Sequence, residues 1–147
     1  MSKLRIALAS DHAGYEMKNK LKEYLESEGY EIHDFGSYTS ESADYPDFGH
    51  PLAEAVEKEE FKFGISLCGS GNGINIVANK HPLIRSALCW NKEIAALARK
   101  HNDANICALP ARFITFELAK EISDTFLDTK FEGGRHKIRI NKIPITH

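Results

Sequence analysis

Cys68 stands directly before three glycines spaced two apart, in Cys68-Gly69-Ser70-Gly71-Asn72-Gly73, where an apolar run over residues 63–68 ends. Glycines at 69, 71 and 73 reach dihedrals closed to other residues and expose consecutive N–H groups, so the segment can form a cup of backbone amides for an anion. A short helix expected over residues 74–78 adds its positive end to that cup. The same amides favour the thiolate of Cys68, which makes the sulfur a base or a nucleophile. Cys89 and Cys107 lie inside apolar runs and read as structural thiols.

Three familiar phosphate loops fail. A dinucleotide fingerprint needs glycine at 74 and an acid at the end of the next strand; the chain has Ile74, and that strand ends in Cys89-Trp90. No Gly-Lys-Ser/Thr follows, which removes a Walker A loop. A cysteine phosphatase loop would place arginine at 74, and isoleucine is there instead.

Other reactive side chains lie at the exits of strands, at the entry of one, and in the C-terminal segment. Asp11 and His12 follow the first apolar run, with Gly14 allowing close approach before a helix; an aspartate there serves equally well as a helix N-cap. His101 follows a helical segment near the entry of the next strand, where a lone histidine is often a capping or core residue. Arg112 stands beyond the last strand, and Arg135 and Arg139, four apart, share one helical face. Such arginines are either a solvated face or a clamp for a phosphate dianion, whose geometry suits guanidinium. His33, His50, His81 and His147 have no comparable context and read as surface or structural residues.

The elements that must position these groups alternate. Apolar runs at 4–9, 30–35, 63–68, 84–89 and 105–109 read as five strands, separated by segments of helical period at 15–25, 51–59, 91–99 and 113–127. Strands joined by helices pair in parallel, so the expected fold is a three-layer αβα, Rossmann-like domain with a five-stranded parallel sheet. Ligands in such sheets bind beyond the carboxyl ends of the strands, here residues 10–14, 36–47, 68–73, 90–93 and 110–113. Gly133 and Gly134 then break the chain before a short basic C-terminal helix over 135–143.

With 147 residues, 42% of them hydrophobic and 27% charged, the composition suits one globular domain over residues 1–147. A net charge of −2 and no Lys/Arg run longer than two argue against nucleic acid as a partner. Only four apolar residues run together before Ser10, too few for a signal peptide or a membrane span, so a cytoplasmic protein is expected. Three cysteines without a CxxC fit neither a disulfide framework nor a zinc ribbon.

Taken in order, Ser10-Asp11-His12-Ala13-Gly14, Asp44-Tyr45-Pro46-Asp47, the segment from Cys68 to Lys80, His101-Asn102-Asp103-Ala104-Asn105 and the segment from Glu132 to Arg139 span nearly the whole chain. Together they resemble the ribose/galactose isomerase family, which acts on ribose 5-phosphate, galactose 6-phosphate or allose 6-phosphate. The resemblance implies an aldose–ketose isomerase without metal or cofactor, interconverting ribose 5-phosphate and ribulose 5-phosphate through an enediolate. It implies Cys68 as the base, the amides of Gly69, Ser70, Gly71, Asn72 and Gly73 as holders of the enediolate oxygen, and Ser70 as a proton carrier between the two oxygens. His101 becomes the ring-opening acid assisted by Asp11. His12, Arg112, Arg135 and Arg139 become phosphate ligands, Asn102 a sugar-hydroxyl contact, and Tyr45 a wall of the pocket.

The family builds its site between two subunits, which implies a homodimer or a dimer of dimers with the 133–147 segment packed on the partner. Two positions depart from common family usage: Ser70, where many members have threonine, and Pro110, where glycine is frequent. Alternatives to the pentose reaction are isomerisation of a six-carbon 6-phosphate and a non-catalytic sugar-phosphate or nucleotide-binding module.

Overall fold

A computed structural model describes residues 4–145; His147 lies outside the described residues. Five strands, β1 (Arg5–Ser10), β2 (Glu31–Asp34), β3 (Phe63–Cys68), β4 (Ser86–Leu88) and β5 (Ile106–Pro110), form one parallel sheet in the order β2-β1-β3-β5-β4. Six helices alternate with them: α1 (Tyr15–Ser27), α2 (Pro46–Glu57), α3 (Asn72–Ala78), α4 (Lys92–Asn102), α5 (Phe116–Asp128) and α6 (Arg135–Ile140). The expected α/β class, five-stranded parallel sheet and C-terminal helix are all present. Among the described residues no helix is long and apolar enough to cross a membrane.

The two faces of the sheet carry side chains of different size. Ile6, Leu8, Phe63, Ile65 and Leu67 meet Leu21 and Leu25 of α1 and Ile122 and Phe126 of α5 on one side. On the other, Ala7 and Ala9 lie under Leu52, Ala53 and Val56 of α2. Small residues let α2 sit close: a β-carbon at Gly64 would stand 2.9 Å from Leu52 Cδ2. Burial of these wholly enclosed aliphatic side chains, at about 1.5–3 kcal/mol each, holds the layers together.

Three boundaries differ from expectation for identifiable reasons. α2 begins at Pro46 rather than 51, because proline suits the first turn of a helix; Pro51 is then interior, at a point where its missing N–H removes one bond. β4 is confined to Ser86–Leu88, since Asn105 Oδ1 accepts from Arg85 N–H and Asn79 Oδ1 from Ser86 N–H, both at 2.8 Å, where a strand would continue its ladder. His101 lies within the last turn of α4, which ends only at Asp103 in the left-handed region. The break at Gly133 and Gly134 is as expected, both with positive φ, of 71° and 58°.

Candidate active site

The chain leaves β1 toward one edge of the sheet, through β2, and then crosses to β3 on the other side of β1. That reversal opens a crevice at the carboxyl ends of β1 and β3, the place where parallel sheets receive ligands. Asp11 and Cys68 face it from the two strands. Asp11 N–H donates to Leu67 O at 3.3 Å, and Cys68 is in register with Pro110 of β5 on its far side. The thiol is 4% exposed, packed among Ile74, Leu88 and Ala108.

The glycine cup forms only in part as its spacing suggests: of the three glycines Gly71 alone has a positive φ, and Gly73 already lies inside α3, which begins at Asn72 rather than at 74. Gly71 takes φ +78°, and a β-carbon there would stand 2.5 Å from Leu88 Cδ1, so only glycine fits between the strand ends. Asn72 N–H donates to Ser70 Oγ at 3.2 Å, which removes one amide from the expected five. The N–H groups of Gly69, Ser70, Gly71 and Gly73 have no protein acceptor among the described residues. Ser70 keeps its own hydroxyl proton for donation, because in this bond its oxygen accepts.

Arg112 N–H donates to Gly69 O at 3.0 Å, and its guanidinium lies along the cup: a β-carbon at Gly69 would be 3.2 Å from Nη1. The Tyr45 ring covers Gly73, whose β-carbon would meet Tyr45 Cζ at 2.5 Å. Asp11 is an N-cap after all, accepting from Ala13 N–H at 2.9 Å and Gly14 N–H at 3.2 Å, both on Oδ1. Gly14 makes the expected close approach, with its β-carbon position 2.7 Å from Leu67 Cβ. His12 Nδ1 lies 3.1 Å from Ala43 N and 3.3 Å from Ala43 O, so the Ala43 backbone fixes the ring through this nitrogen and leaves Nε2 without a protein partner among the described residues.

The support of this end was not visible as function in the sequence. Lys18 is wholly buried, with Nζ donating to both oxygens of Asp34, at 2.7 and 2.8 Å, and to Ser37 O at 2.6 Å. Burial lowers its pKa against the opposing pull of Asp34. Ser37 N–H donates to Ser10 O and Ser10 N–H to Gly36 O, each at 2.7 Å, so the pair locks the loop leading to Ala43 and Tyr45 onto the end of β1. A signal did exist: Lys18 shares the helical spacing of the buried Leu21 and Leu25.

The remaining expected residues gather elsewhere. α4 starts after the carboxyl end of β4 and finishes before the amino end of β5, so His101 and Asn102 lie at the amino ends of the strands. β5 alone advances about 13 Å from Ile106, level with Gly64, to Pro110, level with Cys68. Glu132 N–H donates to Lys100 O at 3.1 Å and brings the C-terminal segment to the same place. There His136 of α6 stacks on His101, ring centroids 4.2 Å apart. Burial, aided by the charges of His101 and Arg135, lowers the pKa of His136. Arg135 and Arg139 are exposed beside it. The structure thus brings together Asp11, His12, Tyr45, Cys68, residues 69–73 and Arg112, and separates them from His101, Asn102, Arg135 and Arg139 of the same chain.

The two other thiols behave as expected. Cys89 and Cys107 are buried, and their mutual hydrogen bond and burial push the Cys107 thiol up, toward an inert neutral form. His50 and His81 bond to each other at 2.8 Å on the surface, and His33 packs on Phe35.

A parallel α/β domain with an amide cup, a thiol and cationic side chains at its switch point defines a binder or converter of small anions. Comparison with known proteins narrows that class. A family profile described as Ribose/Galactose Isomerase matches residues 6–143, and the chain belongs to that family. Ribose-5-phosphate isomerase B of Escherichia coli is 41% identical over 139 residues, covering 95% of this chain and 93% of the relative. The solved ribose 5-phosphate isomerase of Thermotoga maritima is 51% identical, with a TM-score of 0.94 over 96% of this chain and 97% of its own. The Mycoplasma genitalium ribose-5-phosphate isomerase B, solved with bound ribulose-5-phosphate, is 39% identical, with a TM-score of 0.93 over 97% and 95%.

Proposed function

We propose that the chain is an aldose–ketose isomerase that interconverts ribose 5-phosphate and ribulose 5-phosphate, in a site made by two copies. The observation that carries the reading is Cys68 at the switch point, at the mouth of a glycine cup flanked by the Arg112 guanidinium, with His12 just past the end of the neighbouring strand β1. Bound ribulose-5-phosphate in the Mycoplasma relative supports the choice of substrate.

In this mechanism the Cys68 thiolate takes the proton from C2 of the open-chain aldose, and the C–H electron pair moves through the new C1–C2 double bond to the carbonyl oxygen. The enediolate oxygen is met by the unengaged amides of the cup, the kind of preorganised donor set that contributes most to stabilising such intermediates. Ser70 passes a proton between O1 and O2, and the thiol returns its proton to C1, which leaves the ketose. Ring opening precedes these steps: His101 protonates the ring oxygen while Asp11 accepts the anomeric hydroxyl proton. His12 and Arg112 hold the phosphate from one side, Arg135 and Arg139 from the other, with Asn102 on a sugar hydroxyl and Tyr45 as a wall.

General acid and base must come within about 3 Å of the atoms they serve. His101 of the same chain is too far from Cys68 for that, so the reading requires the amino-end cluster of a second copy to close over the cup. The exposed Ile138 and Ile143 give that end an apolar surface to bury.

Incubation with ribose 5-phosphate in deuterium oxide tests the reaction. Turnover with solvent deuterium entering at C1 of the ketose is expected; saturable binding without exchange would establish a non-catalytic module instead. A kcat/KM higher for allose or galactose 6-phosphate than for ribose 5-phosphate would transfer the activity to the six-carbon branch.

A further inference from the structure

Two residues of the amino-end cluster have no part in the reaction above. Glu132 and His136 join His101 in an arrangement of their own: both imidazole Nε2 atoms lie close to a single carboxylate oxygen, Glu132 Oε1, at 3.9 Å for His101 and 3.5 Å for His136. One ligand atom from each of the three side chains falls within 4.8 Å of the other two. Among the described residues their only polar partners are one another.

The backbone builds this cluster. Glu132 is tied to the end of α4 by its N–H bond to Lys100 O, and the positive-φ glycines at 133 and 134 turn the chain so that α6 lays His136 over His101. His136 is held in place at 8% exposure, whereas the His101 and Glu132 side chains are 42% and 53% exposed and have solvent on their open sides.

We propose that His101, Glu132 and His136 form a binding site for a divalent transition-metal ion, zinc being the best fit. Two neutral imidazoles and one carboxylate are a zinc donor set with a fourth position left for water. A tetrahedral centre with ligands about 2.0–2.2 Å from the metal sets neighbouring donor atoms roughly 3.3 Å apart. The pairs at 3.5 and 3.9 Å must therefore close by a few tenths of an ångström and the two imidazole nitrogens, within 4.8 Å of each other, by up to about 1.5 Å, so the rings, now only 13° from parallel, must tilt toward each other. Rotation of the exposed His101 supplies that movement. Arg135 and Arg139 oppose a dication from beside the site, which selects against magnesium and calcium, since neither gains from imidazole nitrogen what zinc, nickel or copper gains.

Metal on His101 withholds the nitrogen that would protonate the sugar ring, so occupancy inhibits the enzyme reversibly. This consequence rests on the proposed role of His101; the site itself does not.

The test uses the full chain stripped of metal with a chelator. Zinc is titrated by calorimetry and cobalt by its visible absorption, in the unaltered protein and in Glu132→Gln, His136→Asn and Cys68→Ala. One ion per chain is expected, with binding retained in Cys68→Ala and weakened in the other two. Loss of a mere outer partner of a metal ligand already costs about 10–100-fold, so loss of a ligand costs at least that. Unchanged affinity in His136→Asn and Glu132→Gln, or loss in Cys68→Ala, overturns the site. In parallel, zinc should slow turnover of ribose 5-phosphate in the unaltered protein, relative to its metal-free rate, and a chelator should restore it. Binding at the predicted residues with an unaffected rate would keep the site and remove the acid role of His101.

Discussion

The two ends of the sheet hold their reactive groups in different ways. At the carboxyl end, Cys68 is buried, His12 is pinned by the Ala43 amide, Asp11 is a cap, and beneath them Lys18 and Asp34 form a buried ion pair. At the amino end, His101, Asn102, Arg135 and Arg139 are exposed or half-exposed on the last turn of one helix and on a six-residue helix behind a glycine break. One end is preorganised by backbone, which suits the proton abstraction and charge stabilisation proposed for it. The other is a set of long cationic side chains on the surface, suited to reach across to a ligand held elsewhere. In the proposed pairing of two copies, the rigid half does the carbon chemistry, and the reaching half opens the ring and clamps the phosphate.

Substitutions at the two ends should therefore fail differently. The largest effect belongs to the rigid end: Cys68→Ala is expected to lower kcat by about 10²–10⁴-fold or more, the contribution of a positioned base, while sugar-phosphate binding persists. Steady-state kinetics beside a direct binding measurement read this, and near-normal kcat would remove Cys68 from the chemistry. Next comes Lys18→Met, which leaves Asp34 charged and buried without its partner and should cost about 3–5 kcal/mol in urea unfolding. Changing Asp34→Leu together with Lys18→Met should recover most of that loss; a single variant as stable as the parent would show that the pair is not what holds this end.

At the reaching end the signature changes from kcat to KM. Arg139→Ala should raise KM about 10–100-fold, in keeping with roughly 1.5–3 kcal/mol for a hydrogen bond to a charged group, with a much smaller change in kcat. A large kcat loss at unchanged KM would contradict a clamp. Smallest of all, Ser70→Thr keeps the hydroxyl at an exposed position and should alter rates by about twofold at most, the size expected of a surface change below about 0.5 kcal/mol.

Much of this was legible in the residues, and the gaps have physical causes. The run at Phe63–Cys68 is apolar but for Ser66, and buried at every position, because the strand is covered on both faces, which is what parallel sheets show in sequence. The cup was legible because only glycine tolerates the φ of +78° at Gly71 and its contact with Leu88. The early start of α2 was obscured by Pro51, which reads as a first-turn proline although Pro46 holds that place. Lys18 was hidden because a lysine is presumed to be exposed, and its partners Asp34 and Ser37 come from a strand end and a loop that no helical spacing relates to it. The separation of His101 from Cys68 was implicit, since a residue between a helix and the next parallel strand lies at the amino ends. The stacking of His136 on His101 depends on how a glycine hinge folds the tail back, which spacing alone does not determine.

The pairing of the two ends across copies is tested most directly by complementation. Cys68→Ala and His101→Asn, each nearly inactive alone, would be co-expressed so that mixed dimers form. With two-fold symmetry, a mixed dimer has one site carrying both lesions and one carrying neither, so random pairing should restore about a quarter of the parent's turnover per chain. A mixture no more active than the two variants separately would contradict the shared site.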